Sequence, residues 1–311
     1  MLAIALALGA AVCWGSGDFL GGLTTRRASL WAVIIGSQAV GLAGAAVVTF
    51  GSGHGWPGLA VIWPVLLGGM ASVIGISSFY TALSIGTMSI VAPITATSAL
   101  VPFVIGLAGG ERPAATQLVG VALAAAGVVL AAIESERAGE TIGVAALPNE
   151  PAVAPAAVRD VAARGERAAV PSRRDQRLSV ALALLAALCI GLMLLSYGAT
   201  AKHDPLWAML GCRLSSATVF AVLLTVLRPR VRMTRAALPF IIAVGLLDTG
   251  ANGLFALATT QGYLSLVAVL GSVYPVVTVM LAFVTLHERL AKHQLAGVVA
   301  ALAGVTLIAA G

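Results

Sequence analysis

Apolar residues run along this chain in long stretches, broken only briefly by polar ones. The stretches fall near 2–22, 30–50, 58–83, 87–109, 116–133, 178–198, 205–227, 236–258, 263–286 and 292–310. Each is close to the ~20 residues that a helix needs to cross a bilayer. The breaks carry turn residues or charge: Thr25-Arg26-Arg27, Gly53-His54-Gly55-Trp56-Pro57, Glu111-Arg112-Pro113, Lys202-His203-Asp204-Pro205, Arg228-Pro229-Arg230 and His287-Glu288-Arg289. The tightest breaks are Ser84–Thr87 and Thr260–Gly262. Unbroken apolar runs predict helices rather than barrel strands, which alternate. The expectation is an all-α membrane protein with ten transmembrane helices.

The pattern also repeats. Ala5-Leu-Ala-Leu-Gly-Ala-Ala-Val-Cys13-Trp-Gly15 returns as Ala181-Leu-Ala-Leu-Leu-Ala-Ala-Leu-Cys189-Ile-Gly191. The same shift of 176 places aligns Leu30-Trp31-Ala32 with Leu206-Trp207-Ala208, and the run starting at Gly86 with that starting at Gly262. One place more aligns Glu111-Arg112 with Glu288-Arg289, Gln117 with Gln294, Gly120 with Gly297 and Gly127 with Gly304. The chain therefore divides into a first repeat over 1–134, a linker over 135–177 and a second repeat over 178–311. Five spans is an odd number, so the second repeat enters the membrane from the opposite side. Inverted-topology repeats are a design of secondary transporters, with the substrate site near the midplane. The repeat also argues that the first apolar run is a retained helix and not a cleaved leader, because its second copy lies mid-chain. The linker is rich in Ala, Pro, Glu and Arg and reads as disordered.

Composition agrees with the pattern. Hydrophobic residues make up 59% of the chain, charged residues 10%, and mean hydropathy is +1.02. That leaves too little polar surface for a soluble enzyme or a disordered protein. The net charge of +6 would suit nucleic acid. Its placement suits the membrane better. Fifteen of the 18 Lys and Arg lie after spans 1, 5, 7 and 9, and only Arg112 and Lys202 lie after spans 4 and 6. Positive residues accumulate on the cytoplasmic side, which puts the linker in the cytoplasm of a cell with this inner or plasma membrane protein and both termini outside. The partners expected are a small-molecule substrate and the lipid bilayer, with a homodimer open and nucleic acid excluded. Cys13, Cys189 and Cys212 form neither a disulfide framework nor a metal-ligand spacing.

Ionisable residues inside spans are expensive and usually face the bundle interior. Arg213 sits about eight residues into span 7, and Asp248 about twelve into span 8. Antiparallel helices would bring them to similar depth, so they are expected to pair or to share a substrate. Asp248 is the candidate for proton coupling. Asn252, one turn on, shares its face. Asp18 is either a substrate ligand or the charge partner of Arg26 and Arg27. Trp14, Tyr80, Tyr274, Gln38 and Gln261 are further candidates to line a cavity. Pro93, Pro102 and Pro275 interrupt spans 4 and 9, and interrupted helices often flank transporter binding sites. Each of these residues also has a plain packing role open to it. No phosphate loop, metalloprotease or nucleophile-elbow motif is present. No cofactor and no catalytic residue are expected, and the protein reads as a non-enzyme.

Trp14-Gly-Ser-Gly-Asp-Phe19, Arg213 early in span 7, Tyr274-Pro-Val-Val-Thr-Val-Met-Leu-Ala282 leading to Glu288-Arg289, and the closing Gln294, Gly297 and Gly304 together resemble EamA-type members of the drug/metabolite transporter superfamily. The resemblance covers both repeats and leaves out the linker. It implies ten helices in two inverted five-helix repeats and transport of small metabolites, without naming one. The sequence departs from it in its long arginine-rich linker, and in having Ser37 where the second repeat has Arg213. The function expected is secondary active transport of a small metabolite or drug-like solute by alternating access, with proton-coupled export as one form. The alternatives are a uniporter or channel, or a non-transporting membrane scaffold that uses its basic linker.

Overall fold

The computed structural model describes residues 1–25, 28–85, 88–132, 173–228, 231–286 and 291–311. The Arg26–Arg27 pair, the linker as far as residue 172, and Glu288–Arg289 lie outside the described residues, as does the Tyr80 side chain. Among the described residues the protein is all helix, with no strand. The helices are α1 (Leu2–Thr24), α2 (Leu30–Gly51), α3 (Leu59–Ile85), α4 (Met88–Ala96), α5 (Leu100–Ala108), α6 (Ala115–Ala132), α7 (Arg173–Ala201), α8 (Pro205–Leu227), α9 (Leu238–Gln261), α10 (Leu264–Gly271), α11 (Tyr274–Leu286) and α12 (Lys292–Ala310). Among the described residues nine stretches are long and apolar enough to cross a membrane, α10 and α11 counting as one over Leu264–Thr285. The fourth expected span is broken: a 3-10 turn at Thr97–Ala99 separates α4 from α5. α7 is described from Arg173, ahead of the expected boundary, so its charged first turns precede the apolar run, with Asp175 among them.

Local chemistry explains where the helices start. Asp204 caps α8 by accepting from the Leu206 and Trp207 amides at 2.9 and 3.0 Å, with Pro205 in the first turn. Ser29 caps α2 through the Ala32 amide. The repeated glutamines have matching work. Gln117 Oε1 accepts from the Ala114 amide at 2.9 Å, and Gln294 Oε1 accepts from the Ala291 amide at 3.0 Å. Each satisfies an amide that its helix leaves without a partner.

Small residues make up much of the buried surface of the helices, and many larger apolar ones face outward. α1 buries Ala3, Ala7, Ala10, Ala11, Gly15 and Gly17, while Val47, Trp63, Val104, Leu184, Val222 and Val299 are all more than half exposed. Lipid removes the hydrophobic drive between helices, so close packing of small faces holds them together.

The packing exchanges between the halves. α1 lies along α9 and α3 along α7, while α6 lies along α12. A Cβ on Gly15 of α1 would fall 2.6 Å from the Tyr274 carbonyl and from Val277 Cβ. A Cβ on Gly191 of α7 would fall 2.6 Å from the Ser98 carbonyl and 2.5 Å from Val101 Cβ. All three of these positions are related by the 176-residue shift. The α6–α12 contact behaves alike: Gly120 faces the Gly304 carbonyl, and Gly127 faces the Gly297 carbonyl. The connections sort into two ends. At one, Ser29 bonds Arg232 through both backbone and side chain. At the other, His54 meets Asp204 and Glu111 meets the start of α10.

Candidate functional site

The charged residues gather where α2, α8 and α9 cross. Helix α9 passes close to α2 because Gly245 leaves no side chain between them: a Cβ there would sit 2.6 Å from the Ser37 carbonyl. Gly41 does the same from the other side, where a Cβ would meet the Thr249 hydroxyl and come within 3.5 Å of the Arg213 guanidinium carbon. In the space so kept, Arg213 Nη2 donates to Asp248 Oδ2, and Arg213 Nη1 donates to Gln38 Oε1 at 3.2 Å. Ser216, three residues along α8, bonds the Arg213 carbonyl at 3.2 Å and reaches Gln38 Oε1 at 3.5 Å. The Arg213 side chain is 5% exposed and that of Asp248 39%, so the cation is sealed in while the carboxylate opens to accessible space. Two of the charged partners come from the second half and the amide from the first.

Polar capacity is left over here. Arg213 Nε and Thr249 Oγ1 are buried with no hydrogen-bond partner among the described residues. Tyr197 is fully buried on α7, with its hydroxyl beside the Cys212 thiol and within electrostatic range of Arg213 and Asp248. Orphaned polar atoms in an interior are costly and few in folded proteins. An aromatic group continues from Tyr197. Its ring meets Phe255 edge-on at 6.0 Å; Phe255 meets Trp14 at 5.6 Å, and Trp14 meets Tyr274 at 6.3 Å. Glycine again makes the room, since a Cβ on Gly271 would lie 3.3 Å from both Trp14 and Phe255.

Of the residues singled out in the sequence, Arg213, Asp248, Trp14 and Tyr274 fall in this connected region. Asn252 is buried on α9, one turn from Asp248. Asp18 is exposed on α1; its neighbour Gly17 packs against Leu247 Cβ and the Asp248 amide, which brings the two carboxylates within electrostatic range. The Asp18 partnership with Arg26 and Arg27 falls outside the described residues. Gln38 belongs to the site, but Gln261 ends α9, exposed and bonded to Thr260. The prolines are placed differently from expectation. Pro102 and Pro275 each lie in the first turn after a break, at α5 and α11, where a missing amide costs nothing. Pro93 falls inside α4, four residues before the break at Thr97, and so is not at it. The breaks themselves, Thr97–Ala99 and Ser272–Val273, occupy matching places in the two halves.

Three contributors were not singled out. Tyr197 and Thr249 look like ordinary span residues, and only the neighbours brought by other helices mark them. Glu111 had a signal, its recurrence as Glu288, but no role. Its carboxylate accepts from the Leu264 and Ser265 amides at 2.9 and 3.0 Å, capping α10 from the other half. Among the described residues no three His, Cys, Asp or Glu side chains meet as a metal site requires.

Residues 177–310 match the model of the EamA-like transporter family. The match covers the second half and is consistent with an EamA-type transporter of the drug/metabolite transporter superfamily. No curated protein matches the chain. One solved crystal structure superposes with a TM-score of 0.71 at 16% identity, over 98% of this chain and 95% of that one. At that identity the likeness concerns the fold alone. The family is one of membrane transporters, and with nine stretches among the described residues long and apolar enough to cross a bilayer the chain is a multi-pass membrane protein.

Proposed function

We propose that the protein is a secondary active transporter that carries a small polar solute by alternating access, with Arg213 and Asp248 at its binding centre. The observation that carries this reading is the Arg213–Asp248 pair, held by Gln38 where helices of both halves cross. Burying a cation in a membrane interior is expensive. A purely structural pair would use up its donors, whereas here Arg213 Nε and Thr249 Oγ1 remain available among the described residues. A solute with an anionic or carbonyl group is matched to Arg213; an apolar part is matched to Trp14, Phe255 and Tyr274. Asp248 is the group that exchanges a proton or a substrate cation, because its side chain reaches accessible space.

The arrangement supports two inverted five-helix repeats, 1–134 and 178–311, because the packing contacts exchange under one residue shift. The broken helices meet the opposite repeat at Gly15 and Gly191. Rocking of one repeat against the other would turn on those small-residue crossings. The basic loops orient the Ser29 end and the linker toward the cytoplasm and the His54 end outward.

The test begins with ligand-induced thermal stabilisation of the purified protein across a metabolite library. Uptake of the solute so found is then driven by a pH gradient in proteoliposomes. Asp248→Asn is expected to abolish the pH-driven component, and unchanged pH dependence would remove Asp248 from the mechanism. Arg213→Gln is expected to weaken solute binding; intact affinity would reduce Arg213 to a structural role.

A further inference from the structure

The two ends of the bundle are fastened by related devices of different chemistry. In each, the residue capping one helix reaches the connection that follows that helix's counterpart in the other half. At one end Ser29 caps α2 and bonds Arg232, in the α8–α9 connection: the Ser29 amide donates to the Arg232 carbonyl at 2.9 Å and the Arg232 amide donates to Ser29 Oγ at 3.0 Å. At the other end Asp204 caps α8 and meets His54, in the α2–α3 connection, with His54 Nδ1 2.6 Å from Asp204 Oδ2. The shift of 176 carries Ser29 to the position next to Asp204, and the first connection onto the second. Only the second fastening contains a histidine, the residue type whose ordinary charge change falls between about pH 5 and 8.

The His54 end is also a closed lid of aromatic rings. Trp207, in the first turn of α8, is packed edge-on by Trp56 at 5.1 Å and by Phe50 at 5.6 Å. Thr49, near the end of α2, donates to the Leu206 carbonyl at 3.3 Å. So the α2–α3 connection of the first half sits over the start of α8 in the second, and α8 carries Arg213 two turns below. Asp204 is bound twice: one carboxylate oxygen holds the α8 amides and the other holds His54. Lys202 and His203, the other titratable groups of the turn between α7 and α8, are exposed, and the α2–α3 connection itself holds none besides His54.

We propose that the His54–Asp204 contact is a pH-dependent clamp that holds the outer end of the bundle closed, opposed by a pH-independent clamp at the Ser29–Arg232 end. When His54 is protonated the contact is an ion pair between the halves. When it is neutral only a hydrogen bond remains, and the Trp56–Trp207 lid is held more weakly. Acid outside therefore favours the form closed at that end, and neutral to alkaline conditions release it. The outward orientation comes from the transporter reading; the clamp itself is a contact between two loops and stands apart from it.

Spin-label distance measurements on the full-length protein in nanodiscs test this, with the same pH on both faces. The background is Cys13→Ser, Cys189→Ala and Cys212→Ala. One labelled pair, Ser52→Cys with Lys202→Cys, reports the His54 end, and a second, Thr25→Cys with Val231→Cys, reports the Ser29 end; all four positions are exposed. Raising the pH from about 5.5 to about 8.5 is expected to increase the long-distance population at the His54 end by about two- to five-fold, the range an exposed ion pair supports. The Ser29 end should close in step. His54→Gln keeps a donor without a titrating charge, and Asp204→Asn keeps the helix cap without the carboxylate; both should abolish the pH response. An unresponsive native protein would overturn the proposal, as would a response that survives in both variants. So would opening at the His54 end with no change at the Ser29 end, which would make the contact a simple loop fastener. A clean pH response at both ends in a protein that moves no solute would leave the clamp standing and remove the transporter reading.

Discussion

The two halves of this protein are packed alike and charged differently. Where the second half carries Arg213 and Asp248, the 176-residue shift places Ser37 and Ser72 in the first. Among the described residues the Ser37 hydroxyl bonds only the Ile34 carbonyl of its own helix, at 3.1 Å, and the Ser72 hydroxyl only that of Gly69, at 2.8 Å. Those hydroxyls look after themselves within one helix, whereas Arg213 and Asp248 tie two helices together and recruit Gln38 from a third. By contrast, Gly15 and Gly191, Gln117 and Gln294, and the two helix breaks do the same work in each half. Packing has to be symmetric because both halves meet the same lipid and each other. Chemistry need not be, and a solute that is itself asymmetric is better served by a cavity with its charges on one side.

The comparison can be broken at several points. The largest effect is expected from the charged pair. Asp248→Asn leaves a buried guanidinium without its counter-charge, at a cost of about 3 kcal/mol. That should appear as a marked fall in thermal stability in detergent, partly restored by adding Arg213→Gln. If the double variant is no more stable than the single one, the pair is not coupled as described.

The glycine crossings come next, and they test the symmetry directly. Gly15→Ala and Gly191→Ala each force a Cβ against a carbonyl about 2.6 Å away, an overpacking worth about 1–3 kcal/mol. The two should fall together in melting temperature. A large loss in one and none in the other would show that the breaks are not equivalent.

A smaller change is expected from Glu111→Ala, which strips two amides at the start of α10 of their cap, at about 1 kcal/mol. Hydrogen exchange at Leu264 and Ser265 should quicken while the α1 amides stay protected. The smallest is Ser72→Ala, expected within about 0.5 kcal/mol. A loss as large as that of Asp248→Asn would mean that the first half has a polar centre of its own.

Much was legible along the chain. Long apolar runs became helices because lipid leaves the backbone no other partner. The depths of Arg213 and Asp248 in adjacent spans foretold their meeting, since antiparallel helices bring equal depths side by side. Less legible was the role of the prolines. Pro93, Pro102 and Pro275 marked the right two spans, yet the chain parts at Thr97–Ala99 and Ser272–Val273, and beside each break a glycine of the other half packs against a carbonyl, that of Ser98 or of Tyr274.

Spacing of apolar residues alone decided that this chain folds into membrane-length helices, and the recurrence of Ala, Gly and Gln positions decided which of them correspond. Both are properties of one helix and its solvent. Only the tertiary structure decided that Gln38 joins Arg213, that Tyr197 and Thr249 stand beside them, that Glu111 caps a helix of the other half, and that His54 meets Asp204. Those contacts join residues more than a hundred positions apart, or depend on which face of a uniformly apolar helix turns inward. A helix apolar all round carries no periodicity to announce its inward face, so that choice is made by the neighbours it packs against.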